Sequence, residues 1–478
     1  MARYDLIVVG MGSAGMVAAE FAPRLGIRVA CVERDRVGGD CLWTGCVPSK
    51  ALLASAKAAH TMRHAGDYGL TPVEPEIDTE RVWGRIHAIQ AQLASSDDDP
   101  QRFRDHGVDV LEGQATLTSP TTVRVGDEQH DARFILLATG SRPATPPIEG
   151  LAEAGHLSSE SIFELDRAPE SVVMIGAGPI SIELAQGLNR LGVKVTVLQR
   201  DPGVLPREEP ELASRLLGCL RDEGVVLHTD IRIDRVSVGE DGSKTVHAGK
   251  RSWTAAEIFV GAGRTPNVEG LGLEQVGVEV GPRGVQVDDR LRTSVETIYA
   301  AGDVAGRWLF THSAGYEAAR AVRNMFLPGS SGGSFGVPWC TFTDPELAHA
   351  GLTEAEARAQ HGDGDVRVWR QDLSHSDRAR ADSAEGEIRI VTVKGRVVGA
   401  HALAPNAGEL IGELALAIDR KLKITDLAAV VHVYPTISLA VQQIAAEAAY
   451  ASAQRLSWLV RAGSWLARTR ARLQRSRT

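Results

Sequence analysis

Residues Asp5–Glu20 read DLIVVGMGSAGMVAAE and decide the fold. A short apolar, β-branched run ends at a glycine-rich turn, and an alanine-rich stretch typical of a helix follows. In the turn, Gly10 permits the sharp bend, Gly12 lets the backbone approach a pyrophosphate, and Gly15 lets helix and strand pack closely. Glu33 ends the next apolar run, at the distance where an acid accepts hydrogen bonds from a ribose. The stretch predicts a strand, turn and helix that bind a dinucleotide.

A second unit of the same kind begins at SVVMIGAGPISIELAQG, where Gly176, Gly178 and Ser181 take the three small-residue positions. Two dinucleotide sites in one chain favour a flavin, FAD, that faces a nicotinamide coenzyme. The strand that follows ends in Gln199-Arg200, with Arg207 a little further on, where an NAD site would prefer an acid. Because an arginine suits a 2′-phosphate, NADPH is favoured over NADH.

Composition describes an ordinary globular chain of 478 residues, long enough for about three domains. A net charge of -9 argues against nucleic acid as a partner. Asp5 and the glycines interrupt the first apolar run before it reaches the length of a membrane span or an export signal. We therefore expect a cytoplasmic protein, and in that reducing compartment a disulfide is usually catalytic or redox-sensing.

The stretch GGDCLWTGCVPSK, residues 38–50, places Cys41 and Cys46 five positions apart. A structural clip, a metal site and a reaction centre are the three interpretations. A zinc site would need a second pair of ligands at short spacing, and the other three cysteines are scattered singly. We therefore predict no metal site and favour a redox pair that receives electrons from the nucleotides.

Together these features resemble the flavoprotein disulfide reductase family, which includes glutathione reductase, dihydrolipoamide dehydrogenase and mercuric reductase. The resemblance runs from residue 4 to about residue 450. Besides the two nucleotide units and the redox stretch, it rests on these segments: ATG at Ala138–Gly140, GRTPN at Gly263–Asn267, AAGD at Ala300–Asp303, and FTDPELAHAGLTEAEA from Phe342.

The resemblance implies a role for each reactive residue. Cys41 is the interchange thiol that faces the substrate, and Cys46 is the thiol beside the flavin. Lys50 and Glu183 match a lysine and acid pair near the flavin, and Asp303 matches the carboxylate that binds the ribityl chain. Taken with the two nucleotide units, the predicted cofactor positions are Gly10, Gly12, Gly15, Glu33, Lys50, Thr139, Gly140 and Asp303 for FAD, and Gly176, Gly178, Arg200, Arg207 and Gly263 for the nicotinamide coenzyme.

The chain departs from the family where relatives that reduce organic disulfides carry a histidine before Pro-Thr and a glutamate shortly after. Here the segment reads HVYPTISLAV, with Tyr434 at the histidine position and Leu439 at the glutamate position. Tyrosine titrates near 10, so it is a poor proton shuttle at neutral pH. His432 is the alternative base, and Tyr434 as a plain interface aromatic is the other open interpretation.

These departures make the chain closest in pattern to mercuric reductase, which also carries a tyrosine there. No cysteine follows Cys340, however, so the C-terminal cysteine pair that delivers mercury is missing. Pro179 replaces an aromatic lid of several relatives, which opens the flavin to quinones. We predict a small electron acceptor, either a metal ion or a quinone. A dihydrolipoamide dehydrogenase or other thiol-disulfide reductase, and a non-catalytic redox sensor, are the alternatives.

The predicted fold class is α/β, with two Rossmann-like dinucleotide-binding domains and a C-terminal α+β dimerisation domain. The predicted boundaries are 1–148 and 264–335 for the FAD domain, 149–263 for the NAD(P)H domain, and 336–452 for the interface domain of a homodimer that shares its active sites. Residues 453–478 form the last predicted segment. From Arg455 they contain seven arginines and no acid, with tryptophans at helical spacing. Such a basic amphipathic helix is typical of contact with an anionic membrane surface.

Overall fold

The computed structural model describes residues 4–329 and 336–454, and residues 457, 458, 463 and 465 beyond them. Within these residues the strands are, in chain order, β1 (Tyr4–Val9), β2 (Val29–Glu33), β3 (Val108–Glu112), β4 (Ala115–Ser119), β5 (Thr122–Val125), β6 (Glu128–Leu137), β7 (Ser141–Pro143), β8 (Ser171–Ile175), β9 (Lys194–Leu198), β10 (Val226–His228), β11 (Arg235–Val238), β12 (Lys244–Ala248), β13 (Arg251–Ala255), β14 (Glu257–Val260), β15 (Arg264–Pro266), β16 (Val280–Gly281), β17 (Gly284–Val285), β18 (Ile298–Ala300), β19 (Trp339–Thr341), β20 (Glu346–Gly351), β21 (Val366–Asp372), β22 (Glu387–Val393) and β23 (Arg396–Ala404). The helices are α1 (Ser13–Phe21), α2 (Gly39–Trp43), α3 (Cys46–Arg63), α4 (Thr79–Ala94), α5 (Pro100–Asp105), α6 (Leu151–Ala154), α7 (Pro179–Arg190), α8 (Pro210–Asp222), α9 (Thr311–Phe326), α10 (Glu354–His361), α11 (Asp377–Ala381), α12 (Ala407–Asp419), α13 (Ile424–Ala428) and α14 (Leu439–Gln454).

The chain divides into two compact units. The first comprises Met1–Pro206 and Leu217–Val337, and the second comprises Arg207–Leu216 and Pro338–Thr478. The first unit contains both parallel sheets, and the second contains a single antiparallel sheet. The segment Arg207–Leu216 from the middle of the chain thus belongs to the second unit.

The larger sheet of the first unit has the strand order β3-β2-β1-β6-β5-β4, with β18 also paired to β6. Strands β1, β2, β3, β6 and β18 pair in parallel, and helices α1 and α9 cover one face with a buried alanine-rich contact. Gly10 has a φ of +99°, and a Cβ at this position would lie 2.5 Å from the Ala138 carbonyl oxygen. A Cβ on Gly15 would lie 1.9 Å from the Gly10 carbonyl oxygen, so helix α1 packs directly onto the turn.

The second parallel sheet has the order β10-β9-β8-β14, and the antiparallel sheet β11-β12-β13 belongs to the same unit. Gly176 repeats the geometry of the first turn, with a φ of +97°. Ser181, at the third small-residue position, is fully buried. It fits because residue 261 is glycine, where a Cβ would lie 2.1 Å from the Ser181 hydroxyl oxygen. The serine at the third small-residue position is therefore accommodated by Gly261, directly after β14.

The second unit is built on the antiparallel sheet β19-β20-β23-β22-β21, with α12, α13 and α14 packed around its apolar core. The predicted fold class is confirmed: two parallel dinucleotide-binding sheets and a C-terminal α+β domain. Among the described residues no helix is long and apolar enough to cross a membrane. The predicted basic helix in 453–478 lies mostly outside the described residues.

Candidate active site

The two cysteines of the redox stretch lie on successive helices of the first unit. Cys41 is in α2, and Cys46 is the first residue of α3. Both are thiols in this structure, and Cys46 is exposed. A helix begins at Cys46 because Gly45 ends the preceding turn and a good helix-forming sequence follows. The positive end of the helix dipole therefore acts on the Cys46 sulfur, where it favours a thiolate.

The two thiols are electrostatically unequal. The hydrogen bond from Cys41, with smaller contributions from Thr311 and Lys50, lowers the pKa of Cys46 to about 6. The same hydrogen bond, together with burial, raises the pKa of Cys41 well above its usual range. At neutral pH the reduced pair therefore holds one negative charge on Cys46 and one proton on Cys41. The roles that the resemblance implies for Cys41 and Cys46 stay predictions.

Thr311 is a site residue that the sequence did not reveal. Its hydroxyl oxygen lies 3.2 Å from the Cys46 sulfur. Thr311 is the first residue of α9, far from the cysteines in the chain, and no spacing rule connects the two positions. Once Cys46 is a thiolate, the hydroxyl is the only possible donor in this contact. Thr311 therefore stabilises the charged form of the sulfur.

Lys50 and Glu183 form the ion pair that the resemblance implies, with 2.8 Å between Nζ and the carboxylate oxygen. Lys50 lies one helical turn beyond Cys46 on α3, and Glu183 lies on α7. The side chain of Glu183 is 8% exposed and that of Lys50 is 39% exposed. A half-exposed ammonium is thus fixed by a buried carboxylate on the same side of α3 as Cys46. Its part in catalysis stays a prediction.

Arg264, in the GRTPN segment, joins the redox stretch to the predicted ribityl-binding acid. Its guanidinium lies 2.8 Å from Asp40, the neighbour of Cys41, and 3.5 Å from Asp303. Ser141 donates a hydrogen bond to Asp303 at 2.5 Å. The pKa of Asp303 is raised, because the effect of burial exceeds the lowering by Ser141 and Arg264. The sequence singled out Asp303, but not the contacts that hold it.

The ATG and GRTPN segments are tied to one another. The Thr139 hydroxyl donates to the Asn267 carbonyl oxygen at 2.7 Å, and the Asn267 side-chain amide donates to the Thr139 carbonyl oxygen at 2.9 Å. Gly140 has a φ of +68° and Gly263 a φ of +123°. Both glycines are therefore in backbone conformations that other residues rarely adopt. The two motifs act as one structural unit beside the first nucleotide turn.

The first nucleotide turn fits the dinucleotide part of FAD. A Glu33 carboxylate oxygen accepts a hydrogen bond from the Met11 backbone N–H at 2.7 Å, which fixes the acid at the end of β2. Gly12 and Gly39 approach so closely that a Cβ on Gly39 would lie 2.8 Å from the Gly12 Cα. A side chain on Gly39 would therefore meet the turn, and the glycines leave the backbone N–H groups at the start of α1 accessible to a pyrophosphate.

In the second nucleotide turn a neutral amide takes the place of the Glu33 carboxylate. The Gln199 side-chain oxygen accepts from the Ala177 backbone N–H at 3.0 Å, the counterpart of Glu33 and Met11. Arg200 is 79% exposed, and its nearest acidic partner is Asp201 at 3.4 Å. Arg207 belongs to the second unit, where its guanidinium stacks 4.4 Å over the Trp339 ring. The role of Gln199 follows from comparing the two turns.

The HVYPT segment lies in the second unit, and both of its candidate proton carriers have partners. The Tyr434 hydroxyl donates to Asp377 at 3.0 Å, which raises the pKa of the tyrosine. His432 lies 3.0 Å from a Glu413 carboxylate oxygen and 3.1 Å from the Val430 carbonyl oxygen, through its two different ring nitrogens. Both partners are acceptors, and a neutral imidazole has one N–H, so the neutral ring donates to only one of them.

Comparison with known proteins shows the family. Residues 4–318 match the family described as pyridine nucleotide-disulphide oxidoreductase, and residues 337–445 match the dimerisation domain of the same family. Among curated proteins, the dihydrolipoyl dehydrogenase of Thermus scotoductus is 34% identical over 95% of this chain and 99% of its own. The mercuric reductase of Bacillus cereus is 32% identical over 91% of this chain and 70% of its own.

Among solved structures, a Cu(II) complex of the HOCl-induced flavoprotein disulfide reductase RclA from Escherichia coli superposes with a TM-score of 0.82. It is 26% identical and covers 92% of this chain and 98% of its own. Family membership implies FAD and a nicotinamide coenzyme, which the two turns fit. The chain matches over most of its length in sequence and in fold, and its two redox-stretch cysteines have unequal pKa values. This chain therefore belongs to the pyridine nucleotide-disulphide oxidoreductases, the flavoprotein disulfide reductase family.

Proposed function

We propose that this protein is an NADPH-dependent flavoenzyme that reduces a small acceptor, a metal ion or a quinone, through Cys46 and Cys41. Organic disulfides are not its main substrates under this proposal. The observation that carries it is the HVYPT segment, where Tyr434 replaces the expected histidine. Its hydroxyl is bonded to Asp377, and Leu439 replaces the expected glutamate.

The steps that the protein's own residues carry out follow from the unequal pKa values of Cys46 and Cys41. When bound, FAD supplies the exchange of an electron pair between the nicotinamide and the disulfide. The resulting dithiol holds a thiolate at Cys46, stabilised by Thr311 and the start of α3, and a protonated Cys41. Closing the disulfide again releases two electrons and the one proton that Cys41 holds. Two Cu(II) ions take one electron each and Hg(II) takes both. A quinone takes both electrons with that proton and a second proton from solvent.

Such acceptors do not need a histidine shuttle. A metal ion is bound directly by thiolate sulfur, and a quinone gives an oxygen anion that solvent can protonate. A disulfide substrate instead requires a proton to be placed on its leaving sulfur, a help typically worth about 100- to 10,000-fold. His432 is the other candidate base. Its two ring nitrogens already contact the Glu413 carboxylate and the Val430 carbonyl oxygen, so a substrate would have to displace one of these contacts.

The coenzyme proposal rests on Gln199 and Arg200. A carboxylate at the Gln199 position would repel a 2′-phosphate, whereas the neutral amide does not. Arg200 is exposed and close to a single neighbouring acid, so its guanidinium can reach a phosphate at small cost. These two features favour NADPH over NADH.

The assembly and location are further parts of the proposal. We propose a homodimer that shares its active sites through the C-terminal domain, with the domain boundaries predicted from the sequence. We also propose a cytoplasmic location, with peripheral membrane contact through residues 453–478. The match to a dimerisation domain supports the first of these.

The test is a turnover screen of NADPH oxidation with lipoamide, glutathione disulfide, Cu(II), Hg(II) and quinones. The lipoamide couple is also run in reverse, with dihydrolipoamide and the oxidised coenzyme. We expect feeble turnover of both disulfide couples and at least one fast metal or quinone acceptor. Tyr434→His with Leu439→Glu should raise disulfide turnover, and Tyr434→Phe is the matched control that adds no base. Fast wild-type turnover of dihydrolipoamide at neutral pH, unaffected by Tyr434→Phe, would overturn the proposal.

A dihydrolipoamide dehydrogenase is the second candidate, favoured by the 34% identity to such an enzyme and by the His432 and Glu413 pair. Under that alternative, His432→Gln should abolish disulfide turnover. Slow cycling with every acceptor in the screen would instead indicate a redox sensor.

A further inference from the structure

The buried face of α4 carries a polar side chain that the site described above does not include. Trp83, Ile86 and Gln90 are buried residues of this helix, spaced three and four positions apart on one face. Trp83 and Ile86 are fully buried, and the Trp83 indole N–H donates to the Ile162 carbonyl oxygen at 3.0 Å. Gln90 is 5% exposed and lies where an amphipathic helix normally has an apolar residue. Because a buried amide is costly unless it is hydrogen-bonded, the partners of Gln90 indicate its role.

The Gln90 amide donates to α2, the short helix that contains Cys41. Its Nε2 donates to the Trp43 carbonyl oxygen at 2.7 Å and to the Leu42 carbonyl oxygen at 3.2 Å. Leu42 and Trp43 are the last two residues of α2, and the last carbonyl groups of a helix have no donor within the helix. Leu42 is buried, so its carbonyl group needs a partner within the protein. Gln90 therefore supplies donors that the end of α2 lacks.

Helix α2 depends on such contacts because it is very short. It has five residues, whereas isolated helices shorter than about 12 residues are marginal in water. At its start, the Gly38 backbone N–H donates to the Met11 carbonyl oxygen at 3.0 Å. At its end, the Trp43 indole N–H donates back to the Val37 carbonyl oxygen at 2.9 Å. The Gln90 amide connects this end to a separate helix, whose own position is fixed by its buried face.

The two cysteines of the redox stretch lie on helices of very different length. Cys46 begins α3, which has 18 residues, whereas Cys41 lies in the middle of α2. The distance between the two sulfurs therefore depends on the position of α2. The hydrogen bond from Cys41 that lowers the pKa of Cys46 depends on the same position.

We propose that Gln90 is a positioning residue for the redox pair: by holding the carbonyl end of α2, it keeps the Cys41 thiol within bonding reach of Cys46 after the disulfide opens. Gln90 acts through Leu42 and Trp43 rather than on the sulfurs. The inference rests on the redox role that the proposed function gives to Cys41 and Cys46, and it holds for any acceptor. Closing the disulfide forms one S–S bond and releases two electrons and one proton to that acceptor.

The experiment measures the thiol–disulfide equilibrium of the holoenzyme in dithiothreitol buffers of set potential. After acid quenching and alkylation, mass spectrometry of the tryptic peptide 37–50, which contains both cysteines, gives the reduced fraction. Gln90→Met keeps the length of the side chain and removes both donors. Gln92→Met is the matched control, because Gln92 is exposed on the same helix.

We expect Gln90→Met to lower the effective concentration of one thiol at the other by about tenfold, because the end of α2 loses its connection to α4. A tenfold change in this equilibrium equals about 30 mV for a two-electron couple, so the midpoint potential should rise by that amount. Gln92→Met should titrate like the wild type, and bound FAD, measured by absorbance, reports that each variant is folded.

An unchanged midpoint in folded Gln90→Met, or an equal rise in Gln92→Met, would overturn this inference and leave the proposed function intact. A wild type that forms no disulfide between Cys41 and Cys46 in any buffer would refute the redox pair itself, and the proposed function with it.

Amide hydrogen exchange on the unmodified protein tests the same inference if Gln90→Met does not fold. The Thr44 backbone N–H donates to the Asp40 carbonyl oxygen at 3.0 Å, at the end of α2. If Gln90 holds this end, the Thr44 amide should stay protected when the disulfide is reduced. A rise to the exchange rate of an unstructured segment on reduction would overturn the proposal.

Discussion

Replacing Thr311 by valine tests whether its hydroxyl sets the thiolate at Cys46. Valine keeps the shape of threonine but removes the donor that lies 3.2 Å from the sulfur. A hydrogen bond to a charged group is worth about 1.5 to 3 kcal/mol, and one pKa unit corresponds to about 1.4 kcal/mol. Cys46 is exposed and sulfur is a weak acceptor, so the lower end of this range applies.

We therefore expect Thr311→Val to raise the pKa of Cys46 from about 6 to about 7. The thiolate fraction at pH 7 should then fall from about 90% to about 50%. The assay is a pH titration of the long-wavelength thiolate-to-flavin band in the two-electron-reduced holoenzyme, checked by the rate of iodoacetamide alkylation. Thr311→Ser, which keeps a hydroxyl, is the control and should titrate like the wild type. An unchanged midpoint in Thr311→Val would show that Cys41 and Lys50 suffice.

Three further predictions address the thiol roles, the coenzyme and the second nucleotide turn. Cys41→Ser should keep a thiolate-to-flavin absorbance band and Cys46→Ser should abolish it; absence of the band from both variants would refute the assigned roles. Arg200→Glu should weaken NADPH binding by more than about tenfold and leave NADH binding nearly unchanged, because a charge-assisted contact is worth about 1.5 to 3 kcal/mol; equal weakening of both coenzymes would make Arg200 a plain surface residue. Gly261→Ala should lower the urea midpoint by an amount equivalent to about 1–3 kcal/mol, since the new Cβ would lie 2.1 Å from the Ser181 hydroxyl oxygen; Ser181→Gly in the same chain should restore much of it, and no restoration would place the strain elsewhere.

The sequence predicts the fold well because backbone requirements leave clear residue patterns. Gly10 and Gly176 are visible because a positive φ and a nearby carbonyl exclude other residues. The pairing of Lys50 with Glu183 is predictable only through the family resemblance, since 133 positions separate them. Local rules carry no information over such a separation.

What the sequence does not predict are contacts between polar side chains on distant elements. Thr311 reaches Cys46 from another helix, and Glu413 reaches His432 from α12. Judged by residue type alone, Thr311 and Glu413 would both be ordinary surface residues. The sequence offered His432 as an alternative base, but it gave no sign of the contacts with Glu413 and Val430 that hold the ring.

The two nucleotide turns differ in one side chain, which is a glutamate in the first turn and a glutamine in the second. In the first, Glu33 accepts from the Met11 N–H at 2.7 Å, and in the second, Gln199 accepts from the Ala177 N–H at 3.0 Å. The backbone contact is the same, so both side chains are held at the carboxyl end of the second strand of their unit. The second polar atom differs. Glu33 Oε1 accepts from the Arg34 and Asp35 backbone N–H groups at 2.8 and 3.0 Å, and a carboxylate can also accept from ribose hydroxyls. Gln199 Nε2 instead donates to Asp201 at 3.4 Å, and the amide has no charge to repel a phosphate. If this exchange selects the coenzyme, Gln199→Glu alone should shift preference toward NADH without altering FAD content, as kcat/KM for both coenzymes would show. Equal kcat/KM ratios in variant and wild type would move the selection to Arg200.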